Sequence, residues 1–246
     1  MIMIKIIYIL WFQGFDNAPY IVKKCLESWK YYNKDWKIVI LDRTNISNYI
    51  TLENYIDLSN KKLLLAHESD IIRLCILKEH GGLWVDSTLF CTKPLDEWLP
   101  ILCTSGFFAF DRPWPNLIIN VWFIYGDRNS YIINKWLEST IRYYKPRQQA
   151  HTYHIYTYLF EDLTKDNYLF QKIYKTVPKI SGIPCRYVQV KGMFNTIDLE
   201  YKNIIKNKET PVFKLTYKDV DPNSNFNNTN LNLPYLFKTI EKRKKL

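Results

Sequence analysis

Residues His67 to Phe90 read HESDIIRLCILKEHGGLWVDSTLF, and this stretch decides the fold. Ile71, Ile72, Leu74, Cys75, Ile76 and Leu77 cover most of a helix circumference, which predicts a largely buried helix over Lys61–Glu79. Gly81-Gly82 ends that helix, and Leu83-Trp84-Val85 follows as a short apolar strand closing on Asp86. Asp70 and Arg73 stand three apart and share a helix face amid apolar neighbours, so this polar strip faces a cavity rather than bulk water. A buried Asp–Arg pair needs further partners to offset its desolvation, and a polyhydroxylated ligand would supply them. Asp86, at a strand end before Ser87 and Thr88, can hold a cation against a diphosphate. By itself it is a weak metal site, one carboxylate with neighbouring hydroxyls.

Upstream, Ile4–Trp11 is rich in β-branched and aromatic residues, as a central strand requires. Pro19 suits the first turn of a helix whose Ile21, Val22, Cys25, Leu26 and Trp29 recur at helical spacing. Trp36–Leu41 is a second strand, and strand–helix–strand at this spacing reads as a right-handed parallel unit. Downstream, Ser105–Phe110 and Val121–Tyr125 predict strands, and Ser130–Tyr144 and His151–Leu163 predict helices. After Thr176 the pattern gives no clear element, until an Asn-rich loop over 223–232 and a terminal helix over Leu233–Lys245. The fold class expected is α/β: an open mixed sheet flanked by helices in a single domain over residues 1–220, with residues 221–246 as a C-terminal loop and basic tail or helix.

Composition narrows the function classes. Lys and Arg number 34 against 24 Asp and Glu, a formal charge of +10, which favours anionic partners. The excess is scattered apart from the tail Lys242-Arg243-Lys244-Lys245, and no RNA- or DNA-binding motif is present, so nucleic acid is not expected as a partner. The tail could rest on anionic phospholipid. Five cysteines with no CxxC pair read as reduced, buried thiols of a cytoplasmic protein. The apolar N-terminus is too short to span a bilayer and carries no small-residue cleavage site.

The pattern Ser69-Asp70-Ile71-Ile72-Arg73, then Ile76-Leu77, Gly81-Gly82, Trp84 and Asp86 closely resembles the sugar-binding DXD region of glycosyltransferase family 32, and within it the bacterial capsular polysaccharide synthesis subgroup. Ile9-Leu10-Trp11-Phe12-Gln13-Gly14 and Phe213-Lys214-Leu215-Thr216 resemble its opening and late motifs, so the likeness runs over about residues 4–220. The resemblance implies a GT-A-like (Rossmann-like) fold and a retaining glycosyltransferase. Its donor would be a nucleotide-sugar, a UDP-hexose by preference, and its acceptor a surface polysaccharide or lipid-linked glycan at the inner face of the membrane.

Residue by residue, the resemblance puts Asp70, Arg73 and Asp86 in the catalytic centre. It makes Trp11, Gln13, Ser87, Asn120, His154 and Lys214 donor-binding candidates beside Asp70 and Arg73. Asp86, Thr88 and Thr216 would be ligands of Mn²⁺ or Mg²⁺. The chain departs from the family pattern where Thr88 replaces the second aspartate of DXD, which implies a weak, donor-dependent metal site. The rival reading is a non-catalytic scaffold or nucleotide-sugar-binding component of a polysaccharide assembly complex.

Overall fold

A computed structural model describes residues 3–218, 220 and 224–241. In chain order the elements are β1 (Ile6–Leu10), α1 (Tyr20–Tyr32), β2 (Lys37–Leu41), α2 (Leu65–His80), β3 (Gly82–Val85), β4 (Leu89–Cys91), β5 (Phe107–Trp114), β6 (Leu117–Gly126), α3 (Tyr131–Tyr144), α4 (Ile155–Asp166), α5 (Tyr168–Thr176), α6 (Tyr187–Lys191), α7 (Leu199–Asn207), β7 (Val212–Lys214) and α8 (Asn232–Glu241).

The main sheet has the order β2-β1-β3-β6-β5. β1 pairs in parallel with β2 and with β3, whereas β6 runs antiparallel to both β3 and β5. The sheet is therefore mixed and flanked by helices, as the alternation of strand and helix in the sequence predicts. The chain leaves β1 toward β2 on one side and returns through α2 to β3 on the other. That reversal makes a crevice between the C-terminal ends of β1 and β3, where open α/β sheets bind their ligands.

The Gly81-Gly82 pair works as a joint. Gly81 ends α2 at φ 64°, and a Cβ there would lie 2.7 Å from the Arg128 amide nitrogen. Gly82 has φ 106°, and its Cβ would meet the Ile6 carbonyl oxygen at 2.7 Å. Only glycine allows the helix to stop, reverse and lay β3 directly against β1. The spacing from Gly82 to Asp86 then carries the carboxylate to the end of the strand.

Expected boundaries shift, and the helix predicted over His151–Leu163 runs from Ile155 to Asp166. The helix predicted from Lys61 begins at Leu65, because the four residues before it are drawn into a tertiary role. Lys61 Nζ donates to the carbonyls of Tyr144, Lys145 and Arg147 at 2.9–3.1 Å, capping the C-terminus of α3. The two strands read at 105–110 and 121–125 are the cores of a longer hairpin, β5–β6, whose register shifts around Asp111.

Two apolar clusters hold the fold. The larger joins the main sheet to α2, α3, α4 and α5 through Trp84, Phe108, Phe123, Trp136 and Phe160. The smaller gathers Ile21 and Cys25 of α1, Phe90 of β4, Tyr201 and Ile205 of α7, Phe213 of β7, and Leu233, Leu236, Phe237 and Ile240 of α8. α1 belongs to both, since its Leu26 and Trp29 lie in the larger cluster. β4 and β7 form a separate two-stranded antiparallel sheet. The terminal helix predicted over Leu233–Lys245 is described as far as Glu241, and the basic run Lys242–Lys245 lies outside the described residues.

Candidate functional site

Four charged side chains converge at the crevice. Asp70 and Arg73 come from consecutive turns of α2, Asp86 from the end of β3, and Lys214 from the last position of β7. Arg73 binds both carboxylates, donating from Nη1 to Asp70 Oδ1 and from Nη2 to Asp86 Oδ1 at 2.9 Å. Trp84 Nε1 adds a 3.3 Å contact to the same Asp86 oxygen, and the guanidinium lies 5.2 Å from the Trp84 ring centroid. Lys214 Nζ donates at 2.7 Å to Asp86 Oδ2 and at 2.7 Å to Thr88 Oγ1. The backbone holds these groups: Asp86 N donates to Trp122 O at 2.9 Å and Leu215 N to Thr88 O at 2.9 Å.

Electrostatics separate the two carboxylates. Burial pushes Asp70 up to about 7, and the Asp86 charge adds to this against the pull of Arg73. Burial acts on Asp86 as well, but the Lys214 and Arg73 charges and the hydrogen bonds from Lys214 and Trp84 outweigh it and hold its carboxyl below the usual range. One acid near neutrality beside one held ionised is an arrangement found at functional sites more often than in plain surface ion pairs.

The remaining sequence-predicted residues fall in different places. Trp11 follows β1 at the crevice, its ring edge-to-face with Tyr217 at 5.0 Å, and its buried Nε1 finds no partner among the described residues. Gln13 is exposed in the loop beyond, where its carbonyl accepts from Asn17 Nδ2 at 3.2 Å. Ser87 lies in the turn after Asp86. His154 is the residue before α4, its ring edge-to-face with Tyr153 at 5.1 Å. Asn120 is buried, and its amide is committed within the hairpin: Nδ2 donates to Phe110 O at 2.9 Å and Oδ1 accepts from Phe123 N at 2.8 Å. It supports the strand beside Asp86 rather than joining the charged group.

The expected metal ligands do not form an open set. Asp86 Oδ2 and Thr88 Oγ1 both carry the Lys214 ammonium, and Asp86 Oδ1 carries Arg73 and Trp84. Thr216 Oγ1 accepts from Lys218 N at 3.1 Å. Among the described residues no group of three or more His, Cys, Asp or Glu is placed to hold a metal ion. With its carboxylate and its hydroxyl both engaged by cationic side chains, the set is not a preformed site that would hold a divalent cation by protein oxygens alone.

Sequence reading missed Tyr153, Tyr217 and His67. The Tyr153 phenol is pushed up by burial and then by the Asp70 and Asp86 charges, although the residue is 60% exposed. His67, one turn before Asp70 on α2, is buried, and its Nε2 contacts Tyr153 O at 3.2 Å, tying that segment to the helix. Its place at the head of the HESD run was the available signal. Tyr153 sits in an irregular segment whose spacing carries none.

The charged cluster stands at the topological crossover of a mixed α/β sheet, the place where open α/β sheets bind their ligands. The chain belongs to the capsular polysaccharide synthesis protein family, whose model matches residues 2–232. It is similar to the O-glycosyltransferase braB of Annulohypoxylon truncatum, 27% identical over 153 residues, which are 54% of this chain and 36% of that protein. It is also similar to the uncharacterized glycosyltransferase L373 of Acanthamoeba polyphaga mimivirus, 31% identical over 119 residues, 47% of this chain and 46% of that protein. The chain thus spans less than half the length of these relatives. Among solved structures, the PaToxG glycosyltransferase aligns with a TM-score of 0.48 at 16% identity, over 97% of this chain and 86% of that one. A glycosyltransferase involved in the glycosylation of the major capsid of PBCV-1 aligns with a TM-score of 0.46 at 13% identity, over 96% and 98%.

Proposed function

We propose that this chain is a GT-A-type, retaining glycosyltransferase of glycosyltransferase family 32. It would move a sugar from a nucleotide-sugar, a UDP-hexose by preference, to a growing surface polysaccharide or lipid-linked glycan. The observation that carries the reading is Arg73 bridging Asp70 and Asp86 at the crossover, with Lys214 on the far oxygen of Asp86. Both relatives being glycosyltransferases supports it.

The chemistry follows from these groups. The anomeric C–O bond to the diphosphate breaks, the acceptor oxygen bonds the anomeric carbon on the same face, and the acceptor proton passes to a departing phosphate oxygen. Negative charge growing on the leaving group is met by Lys214 and Arg73, fixed in advance so that little reorganisation is needed. Positive charge on the sugar is met by Asp70, whose contact with Arg73 uses Oδ1 only. Trp11 and Tyr217, packed edge-to-face, offer aromatic surface for a base or sugar. The acceptor would be presented at the cytoplasmic face of a membrane. No helix among the described residues is long and apolar enough to cross one.

The test is release of nucleoside diphosphate from a panel of UDP-, GDP- and CMP-activated sugars, with and without glycan acceptors. Turnover of one donor that is lost in Asp70→Ala supports the reading. Binding of a nucleotide-sugar with no turnover on any acceptor would move the chain to the scaffold class.

A further inference from the structure

We propose that the Lys214 ammonium holds the place of a divalent cation, so that the nucleoside diphosphate binds and leaves without metal. The inference rests on the transferase reading and goes beyond it. It opposes the metal site that Asp86, Thr88 and Thr216 imply in the sequence.

Three observations converge. First, Lys214 Nζ lies 2.7 Å from Asp86 Oδ2 and 2.7 Å from Thr88 Oγ1, bridging two of the expected metal ligands. A metal ion on those oxygens would sit at about 2.0–2.6 Å from each and so in contact with the ammonium, which would have to leave.

Second, the fold fixes the lysine there. β7 pairs with β4 in the register Leu89↔Lys214, and Leu215 N donates to Thr88 O at 2.9 Å. Val212 and Phe213 are fully buried, so a slip of one residue would turn an apolar side chain out and a charged one in. The pairing therefore sets the Lys214 backbone beside Thr88, from where its side chain reaches both Asp86 and Thr88.

Third, Thr88 fits this arrangement. A second aspartate would add the charge a metal needs, whereas a hydroxyl is a neutral acceptor suited to an ammonium. Lysine has three donors. Two are used here, which leaves one for a phosphate oxygen, and the side chain is 18% exposed.

The experiment combines Mn²⁺ titration followed by electron paramagnetic resonance with UDP calorimetry, on the native chain, Lys214→Met, and Lys214→Met with Thr88→Asp. The native chain is expected to leave free Mn²⁺ undepleted at millimolar concentration. Its UDP affinity is expected to change less than about twofold between EDTA and Mn²⁺. Lys214→Met should lose tenfold or more of UDP affinity in EDTA. The double variant should bind Mn²⁺ and regain UDP affinity with it. Native UDP binding that falls tenfold in EDTA and returns with Mn²⁺ overturns the inference and leaves the transferase reading intact. That arm needs no variant, so misfolding of Lys214→Met does not protect the idea. Absence of binding by UDP, GDP and CMP under every condition would remove both readings.

Discussion

The main-sheet core and the smaller cluster around β4 and β7 are assembled over different sequence distances. The first is centred on strands of four to ten residues and helices of up to sixteen, and takes only Leu89, Cys91 and Val212 from β4 and β7. The second joins three-residue strands and the short helix α6 to faces of α1, α7 and α8, and it draws members from Ile21 through Ile240. The first supplies Asp70, Arg73 and Asp86 from neighbouring segments. The second supplies Lys214 from 128 residues beyond Asp86. Three of the four charges are thus placed by local structure and the fourth by a distant strand pairing, so the site is complete only when both cores are.

The largest effect is expected where the two cores meet. Asp86→Ala strips both Arg73 and Lys214 of their shared carboxylate. Donor turnover should fall at least ~1,000-fold, about 4 kcal/mol of transition-state stabilisation. The melting temperature should fall too, because cations left without their partner are costly. Donor-dependent nucleotide release and a thermal melt read the two effects. Activity within tenfold of native would deny Asp86 its role.

Next is Phe237→Ala, which empties the smaller core without touching the site. Phe237 is buried, with its ring 5.4 Å from Phe90 and 6.0 Å from Tyr20. The expected loss is about 3–5 kcal/mol. Because α1 is common to both clusters, urea unfolding should remain one transition by fluorescence and circular dichroism alike. Two separate transitions would show that the cores are independent.

Asn120→Ala separates support from binding. It leaves Phe110 O and Phe123 N without their partner inside the hairpin, a cost of about 2 kcal/mol. Donor affinity should move less than about threefold under conditions where the variant stays folded. A large affinity loss at unchanged stability would make Asn120 a donor ligand, as the family resemblance implied.

The same contrast explains what could be read in advance. α1 is legible because its apolar residues repeat at helical spacing, and β1, β2, α2 and β3 because their apolar runs are bounded by polar or glycine breaks, with Gly81-Gly82 marking the turn between the last two. β4 and β7 are not, since these three-residue strands have no marked boundaries and exist only through their pairing with one another. Lys214 could be singled out by resemblance but not by pattern, and its position on Asp86 was invisible without the pairing. The start of α2 was misjudged because Lys61 caps α3, a tertiary contact that local propensity cannot anticipate.

The smallest effect tests whether the carboxylate on the local side behaves differently from the one shared with the second core. Asp70 is pushed up to about 7 chiefly by burial, with Arg73 on its own helix, Asp86 and Lys214 as the charges around it. The phenols of Tyr144, Tyr153 and Tyr156 sense its charge from α3, the segment before α4, and α4. In the unfolded chain the carboxyl returns to its ordinary value of 3.8. Between these values the unfolded chain has released its proton while the folded one keeps it. Asp70's contribution to stability is therefore complete below about pH 4 and declines as pH rises to about 7. Asp70→Asn should lack this decline, so the native-minus-variant stability from urea titrations should fall across that window and level off above it. A sugar hydroxyl donates better to the ionised carboxylate, so preference for the nucleotide-sugar over the bare nucleotide should grow about tenfold from pH 6 to pH 8, or about 1.4 kcal/mol. A flat stability difference would mean that Arg73 keeps Asp70 ionised throughout, and the two carboxylates would then be alike.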